Sequence, residues 1–303
     1  MERRDFLKYI LAAGACVCSG CNIKSKDEAV KDDSFSEQNM LEIAKFPICY
    51  HCNLNCAYCS HFSPIAPKYE MPVEVFEKDL IRLEKITKGN IRQIALMGGE
   101  PLLHKDINKI ITILSKHFPS SRKRISTNGI LLKDMDEKFF KLCTENNIEI
   151  KYSPYTGYKN YPKKEFFQKL KEKYGIIINS TEENVEKFEL INLTKEKKDE
   201  SKNYDLCNKK IGCLQINNGK CAPCSVISNI EIFNDYFKEY KIPVYKTDYL
   251  DIYKINSIEE IFKYLKTPKT VCKYCNFGCN IKTKPWKLSN KEVDEWYDIN
   301  KKG

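Results

Sequence analysis

The sequence lacks an apolar run long enough to cross a membrane as a helix. The apolar segment near its start covers only residues 9–17, whereas a membrane-spanning helix needs about twenty apolar residues. A transmembrane anchor is therefore not expected from this segment. Residues 22–39 are charged and nearly free of large apolar side chains, and this composition is typical of a linker.

The sequence also lacks a block of positive charge. Its 51 lysine and arginine residues exceed its 41 aspartate and glutamate residues and give a formal net charge of +10, but the two signs alternate, as in residues 195–200. Interspersed charge is typical of a solvated surface. No register of arginine and aromatic residues indicates a nucleic-acid site, so we expect no nucleic-acid partner.

Cysteine is abundant: the 303 residues include 15 cysteines, and 42% of all residues are hydrophobic. That hydrophobic content supports a large buried core. The cysteines form groups, which are Cys16, Cys18 and Cys21; Cys49 to Cys59; Cys207, Cys213, Cys221 and Cys224; and Cys272, Cys275 and Cys279, with Cys143 alone. Because disulfide frameworks favour shorter chains with an even cysteine count, we interpret the groups as metal ligands in a reducing compartment.

The first 21 residues favour a different compartment. Arg3 and Arg4 precede the apolar segment and resemble a twin-arginine export signal, and Cys18 to Cys21 resembles a lipid-attachment box. This interpretation predicts export, lipid anchoring and membrane association through the N-terminus. An amphipathic N-terminal helix of a cytoplasmic protein explains the same residues, and the cytoplasm is the location that we expect.

Residues 40–200 alternate between strand-like and helix-like patterns. Each short apolar run is followed by a segment with apolar residues at helical spacing. The predicted strands are residues 46–50, 91–97, 124–127, 148–152 and 176–179, with 188–193 as a sixth. This alternation predicts a parallel sheet, and six units are fewer than the eight of a closed barrel. The predicted fold is α/β, a partial (β/α)6 TIM-type barrel with a small cysteine-rich C-terminal extension at residues 201–303.

Three motifs fall at the carboxyl ends of the first three predicted strands. Cys52, Cys56 and Cys59 follow the first strand, a Gly-Gly-Glu turn at 98–100 follows the second, and residues 126–129 follow the third. Ligands bind at this edge of parallel α/β sheets. Because an iron–sulfur cubane usually takes four cysteines, three closely spaced thiolates leave one iron open to a ligand that is not protein.

These motifs resemble the radical S-adenosylmethionine (radical SAM) superfamily over roughly residues 45–195. The resemblance lies in the CxxxCxxC spacing of Cys52, Cys56 and Cys59, in Tyr58 before the last cysteine, and in the Gly-Gly-Glu motif. It implies that the cysteines hold a 4Fe-4S cluster whose fourth iron chelates S-adenosylmethionine (SAM). It also implies reductive cleavage of SAM to a 5′-deoxyadenosyl radical that abstracts hydrogen from a substrate. Tyr58 would shield the cluster or contact adenine, or else pack beneath the loop.

The resemblance assigns further cofactor-binding residues. It implies that Gly98 and Gly99 let the backbone approach the methionine moiety of SAM. Glu100 would meet the ammonium group of SAM. Ser126 and Asn128 would supply polar contacts to the nucleoside, although an ordinary Asn-Gly turn explains the same residues.

The C-terminal cysteines resemble the SPASM or shorter twitch extension of some radical SAM enzymes, which holds auxiliary 4Fe-4S clusters. Seven cysteines allow one fully ligated cluster with spares, so we predict one auxiliary cluster. Its ligands are drawn from Cys207, Cys213, Cys224, Cys272, Cys275 and Cys279, with Cys221 left as a spare. A zinc ribbon built from the CxxC pairs at 221–224 and 272–275 is the alternative.

The sequence therefore predicts a radical SAM enzyme of the oxidoreductase or maturase type. Relatives with such extensions act on peptide side chains or on sugar-type molecules, so we expect a peptide or a small-molecule substrate. A low-potential electron donor of the flavodoxin or ferredoxin type would supply the electron. The alternative is a non-catalytic iron–sulfur or zinc-binding protein, exported or not, that acts in electron transfer or binding.

Overall fold

The computed structural model describes residues 40–190, 192–207, 213–276 and 282–299. Three predictions made from the sequence lie outside these residues. They are the export and lipid-attachment signals in residues 1–21, the linker at 22–39, and Cys279 as a cluster ligand.

Five parallel strands alternate with four helices in the first part of the described chain. The elements are β1 (Leu41–Cys49), α1 (Val73–Thr87), β2 (Ile91–Gly98), α2 (Ile107–His117), β3 (Arg122–Thr127), α3 (Glu137–Glu145), β4 (Ile148–Tyr152), α4 (Lys164–Tyr174) and β5 (Ile177–Ser180). Each strand pairs in parallel with the next one along the chain. The predicted α/β partial barrel is confirmed.

The sixth strand beside this parallel set is not the predicted segment 188–193. That segment overlaps only β6 (Lys187–Glu189), which pairs antiparallel with a late strand, Thr283–Pro285, in a separate two-stranded sheet. The main sheet instead gains Cys213–Asn217, which pairs in parallel with β1 on the side away from β2. Periodicity along the chain cannot reveal this position, because strand pairing depends on contacts that are distant in sequence.

The remaining elements continue the same sheet and cover it. They are α5 (Glu200–Asp205), β7 (Cys213–Asn217), β8 (Lys220–Ala222), α6 (Ser225–Tyr236), β9 (Leu250–Asp251), α7 (Ile258–Lys266) and β10 (Thr283–Pro285). The main sheet has eight strands in the order β5-β4-β3-β2-β1-β7-β8-β9. The predicted C-terminal extension thus shares a sheet with the parallel strands.

The main hydrophobic core lies between the sheet and its helices. Apolar side chains at helical spacing on α1 and α2, such as Leu80, Leu83 and Ile110, pack against strand residues such as Ile94, and all four are fully buried. Burying an apolar side chain of this size stabilises the fold by about 1.5–3 kcal/mol. This core holds the strands in register and so fixes where their carboxyl ends lie.

A second apolar cluster forms around α6 and the end of the chain. The rings of Phe233 and Trp296 lie 5.6 Å and 6.1 Å from the ring of Phe62, and Trp296 Nε1 donates to the Cys59 carbonyl oxygen at 3.0 Å. Among the described residues that follow β10, Val293–Glu295 form a short 3₁₀ turn. The C-terminal part of the chain therefore packs directly beside the cysteine loop.

The ends of β1 and β2 approach so closely that only glycine fits between them. A Cβ atom on Gly98 would lie 2.1 Å from the Cys49 carbonyl oxygen, and one on Gly99 would lie 2.1 Å from the His51 carbonyl oxygen. Gly98 also has a φ of +136°, which L side chains rarely adopt. The two glycines are thus required for the protein's own backbone packing.

None of the helices in the described ranges is long and apolar enough to cross a membrane.

Substituting Gly99 with alanine should destabilise the protein, because the new methyl group meets two backbone carbonyl oxygens, those of Tyr50 and His51. We expect Gly99→Ala to lower the free energy of unfolding by about 2 kcal/mol, measured by chemical denaturation. Gly157→Ala is the control, since its Cβ would touch only the Trp286 ring at 3.5 Å. Equal stability of the two variants would contradict the close approach of β1 and β2.

Candidate functional site

Cys52, Cys56 and Cys59 converge in a compact loop that follows β1. Asn55 and Tyr58 adopt positive φ angles of 50° and 64°, which curl the loop tightly. The three cysteines line a cavity of about 200 Å³. Burial, with smaller contributions from the nearby Glu100 and Cys59, raises the pKa of Cys52 to about 12. The thiols are therefore close enough to interact electrostatically.

Hydrogen-bond donors point at two of these sulfur atoms. Trp286 Nε1 donates to Cys56 Sγ at 3.1 Å, and the Leu54 backbone N–H donates to Cys52 Sγ at 3.4 Å. Asn128 Nδ2 also lies 3.7 Å from Cys52 Sγ. A thiolate accepts such bonds more strongly than a thiol, so this environment suits cysteines that ligate a metal as thiolates.

The structure brings the predicted glycine turn and the third strand end to the same cavity. Gly98, Gly99, Ser126 and Asn128 line its walls together with the three cysteines. Asn128 Nδ2 donates to Asn53 Oδ1 at 2.7 Å, so it also holds the cysteine loop in place. The three motifs predicted to share one edge of the sheet do so.

Glu100 lies beneath this cavity and not on its surface. Its side chain is fully buried, and its carboxylate accepts hydrogen bonds from Thr127 Oγ1 at 2.7 Å, Asn128 N at 2.9 Å and Leu102 N at 3.0 Å. Burial raises the pKa of Glu100 to about 7, although the three donors oppose this rise. In this arrangement the carboxylate ties the ends of β2 and β3 together, and its contact with the ammonium group of SAM stays a prediction.

Tyr58 lies between the cysteine loop and a second, neighbouring cavity. It is 5% exposed, and the ammonium groups of Lys284 and Lys287 lie 5.6 Å and 5.7 Å from its ring centroid. Cations at this distance over an aromatic face are attracted to it. The ring thus packs beneath β10 and also lines the second cavity.

The second cavity has a volume of about 390 Å³ and is lined by four of the C-terminal cysteines, which are Cys207, Cys213, Cys224 and Cys275. Burial raises the pKa of Cys224, and the nearby Cys272, Cys275 and Cys207 raise it further. Five predicted ligands are therefore close together. The sixth, Cys279, lies outside the described residues. Cys221 lies apart, fully buried in the main core.

The two cavities are contiguous. They share the lining residues Ser60, His61, Ser153, Tyr155 and Phe188. The second cavity is the larger of these two and is called the larger cavity below. A molecule in it would therefore lie next to both the cysteine loop and the C-terminal cysteines.

Comparison with known protein families identifies the domain that contains the cysteine loop. A model of the radical SAM superfamily matches residues 46–192, the segment that carries the cysteine loop, the glycine turn and the first five strands. Residues 46–192 are a radical SAM domain, and the chain is an enzyme of this class. The 4Fe-4S cluster and SAM are its cofactors. The three cysteines of the loop, two of which have hydrogen-bond donors aimed at their sulfur atoms, fit such a cluster.

Two of the proteins similar in sequence are named GTP 3′,8-cyclase. A GTP 3′,8-cyclase of Clostridium botulinum strain Okra is 26% identical over 265 residues, which cover 80% of each chain. A GTP 3′,8-cyclase of Campylobacter jejuni strain RM1221 is 32% identical over 103 residues, which cover 34% of this chain and 31% of that protein.

Similar solved structures include two proteins with bound AdoMet. BtrN in complex with AdoMet and 2-DOIA has a TM-score of 0.49 at 17% identity and covers 78% of this chain and 93% of BtrN. Native anSMEcpe with bound AdoMet has a TM-score of 0.49 at 17% identity and covers 79% of this chain and 84% of that chain.

The contact of Trp286 and its neighbouring segment with the cysteine loop was not predicted from the sequence. The Ala57 backbone N–H donates to the Lys287 carbonyl oxygen, and the Trp286 backbone N–H donates to the Glu186 carbonyl oxygen. The first of these bonds holds the late segment against the cysteine loop. The one available signal was a tryptophan in a lysine-rich segment, and that signal does not reveal a partner 230 residues away.

Replacing Trp286 with phenylalanine should remove the N–H that points at Cys56 Sγ while keeping an aromatic ring. Because hydrogen bonds to cluster sulfurs raise the reduction potential, we expect Trp286→Phe to shift the potential of the SAM-binding cluster to more negative values by tens of millivolts. A redox titration of the reconstituted protein followed by electron paramagnetic resonance measures this shift.

The second tryptophan of the chain provides the matched control. Trp296 Nε1 donates to the carbonyl oxygen of Cys59 and not to a sulfur, so Trp296→Phe should reduce stability without a comparable shift in potential. An unchanged potential in Trp286→Phe, with the cluster intact, would disprove the role assigned to its hydrogen bond.

Proposed function

We propose that this enzyme abstracts a hydrogen atom from a substrate bound in the larger cavity, and that the C-terminal cysteines hold one auxiliary 4Fe-4S cluster. The observation that carries the proposal is the larger cavity itself. Tyr58 and His61, which belong to or follow the cysteine loop, line it together with four C-terminal cysteines. A substrate there would be next to both the SAM site and a second set of metal ligands.

When bound, the first cluster and SAM supply hydrogen-atom abstraction, and an auxiliary cluster supplies a nearby electron acceptor. The chain's own residues position these groups. Cys52, Cys56 and Cys59 would hold the first cluster. The glycine turn and Asn128 form the wall on which SAM would lie, and the contiguous cavity brings the substrate next to that wall.

A buried lysine partly offsets the effect of burial on the C-terminal cysteines. Burial raises the pKa of Cys272 to about 11, and the charge of Lys269 acts in the opposite direction. Lys269 is 1% exposed, and its ammonium group donates to the Tyr264 carbonyl oxygen at 2.7 Å. Burial lowers the pKa of Lys269 to about 8, while the nearby Cys272, Asp248 and Cys224 act in the opposite direction. A buried cation beside these cysteines stabilises negative charge on their sulfurs.

A cluster fits this region better than a zinc ion. A zinc ribbon from the CxxC pairs at 221–224 and 272–275 would need Cys221, which is fully buried in the main core, whereas Cys224 and Cys272 pack against the second apolar cluster. A tetrahedral zinc with Zn–S bonds of about 2.3 Å needs tightly gathered sulfurs, whereas a cubane is bound by thiolates that are farther apart. The proposed ligands are drawn from Cys207, Cys213, Cys224, Cys272, Cys275 and Cys279.

The size of the larger cavity suits a peptide side chain or a sugar-type molecule. Its volume of about 390 Å³ falls within the range of small-molecule sites. The similar curated proteins are named for a reaction of GTP, which makes a nucleotide the second candidate class. A flavodoxin- or ferredoxin-type protein would supply the electron, and we place the reaction in the cytoplasm, where SAM and low-potential electrons are available.

Removing one cysteine of the loop should abolish SAM cleavage. We expect Cys56→Ala to yield no 5′-deoxyadenosine from SAM after anaerobic reconstitution and chemical reduction, because two thiolates do not retain the cluster. Cys143→Ala is the control, since this buried cysteine belongs to the main core. Production of 5′-deoxyadenosine by Cys56→Ala at the wild-type rate would refute the assignment of the first cluster.

Removing a C-terminal cysteine should change the metal content without abolishing SAM cleavage. We expect about eight irons in the wild-type protein and about four in Cys224→Ala, measured on the reconstituted proteins. The variant should still form 5′-deoxyadenosine without substrate. Four irons in both proteins, or one zinc in the wild type that Cys224→Ala loses, would refute the auxiliary cluster.

A further inference from the structure

One wall of the larger cavity is formed by two polar residues on neighbouring strands. Lys45 on β1 is directly opposite Gln215 on β7 in the register of these parallel strands, and both side chains line the cavity. Residues aligned in this way point to the same face of a sheet. His61, which follows the cysteine loop, lines the same cavity.

Within the residues that the structure describes, two of these three side chains have a buried polar atom without a hydrogen-bond partner. Gln215 is 3% exposed, and its Oε1 has no hydrogen-bond partner within the described part of the protein. His61 Nε2 is also buried and without a partner there. Buried polar atoms are nearly always bonded, and the exceptions in a cavity mark the points where a ligand can bond.

Lys45 adds a positive charge to this wall. In the described ranges its ammonium group lies within salt-bridge distance of no carboxylate, and the ion pairs of the chain lie elsewhere. Glu182 and Glu189 line the same cavity but do not pair with Lys45. A half-buried cation with unpartnered polar neighbours is complementary to an anion.

We infer that Lys45, His61 and Gln215 bind an oxyanion of the substrate, either a carboxylate or a phosphate group. Lys45 donates to the anion through its ammonium group. Gln215 can present its N–H₂ group by turning about its last side-chain bond, and His61 can donate from Nε2. The inference rests on the proposal that the larger cavity is the substrate site, and it narrows the substrate to an anionic molecule.

Calorimetric titration of the reconstituted holoprotein with SAM bound tests this inference. The probes are inorganic phosphate and succinate, titrated anaerobically at constant ionic strength. We expect at least one of them to bind, and Lys45→Met to weaken that binding by about tenfold or more. Lys45→Arg should restore most of the affinity, because it keeps the charge.

Lys141→Met is the matched control, since Lys141 is exposed on α3 and pairs with Glu137 outside the cavity. It removes the same charge from the chain and should leave the affinity unchanged. Tighter binding of phosphate assigns a phosphorylated substrate, and tighter binding of succinate assigns a carboxylate. Binding of neither probe, or equal binding by wild type, Lys45→Met and Lys141→Met, overturns the inference.

Measuring SAM cleavage by the same samples distinguishes a failure of this inference from a failure of the proposed function. If 5′-deoxyadenosine forms but no anion binds, the oxyanion site is wrong and the assignment of the radical cofactor stands. If no 5′-deoxyadenosine forms with the cluster intact, the proposed function fails independently of the anion titration.

Discussion

The contact between the ends of β1 and β2 is the constraint on which the rest of the site depends. Gly99 N donates to the Cys49 carbonyl oxygen at 2.7 Å, and Glu100 N donates to the His51 carbonyl oxygen at 3.0 Å. These bonds require two backbones to meet without an intervening side chain. They place the start of the cysteine loop directly against the turn that forms the wall of the cofactor cavity.

Glu100 extends this constraint to the third strand. Its buried carboxylate receives donors from Leu102, Thr127 and Asn128, and Asn128 in turn bonds to Asn53 in the cysteine loop. A buried carboxylate without such donors would cost several kcal/mol. The glutamate is therefore a positioning residue: it holds three strand ends in the arrangement that a cofactor requires.

Features that depend on neighbouring residues could be predicted from the sequence, and features that depend on contacts between distant segments could not. The strand-helix repeats and the spacing of Cys52, Cys56 and Cys59 are local patterns, and the main architecture follows from them. The pairing of β7 with β1, the hydrogen bond from Trp286 to Cys56 and the burial of Glu100 depend on contacts between distant segments. Local periodicity carries no information about such contacts, so the predicted sixth strand was wrong and Trp286 was missed.

Mössbauer spectroscopy of the protein reconstituted with ⁵⁷Fe, recorded with and without SAM, tests the central claim most directly. The account predicts two 4Fe-4S clusters, with one iron of one cluster changing its signal when SAM binds, because only three cysteines hold that cluster. Spectra that do not change on addition of SAM would contradict the claim that Cys52, Cys56 and Cys59 leave an iron open to this cofactor.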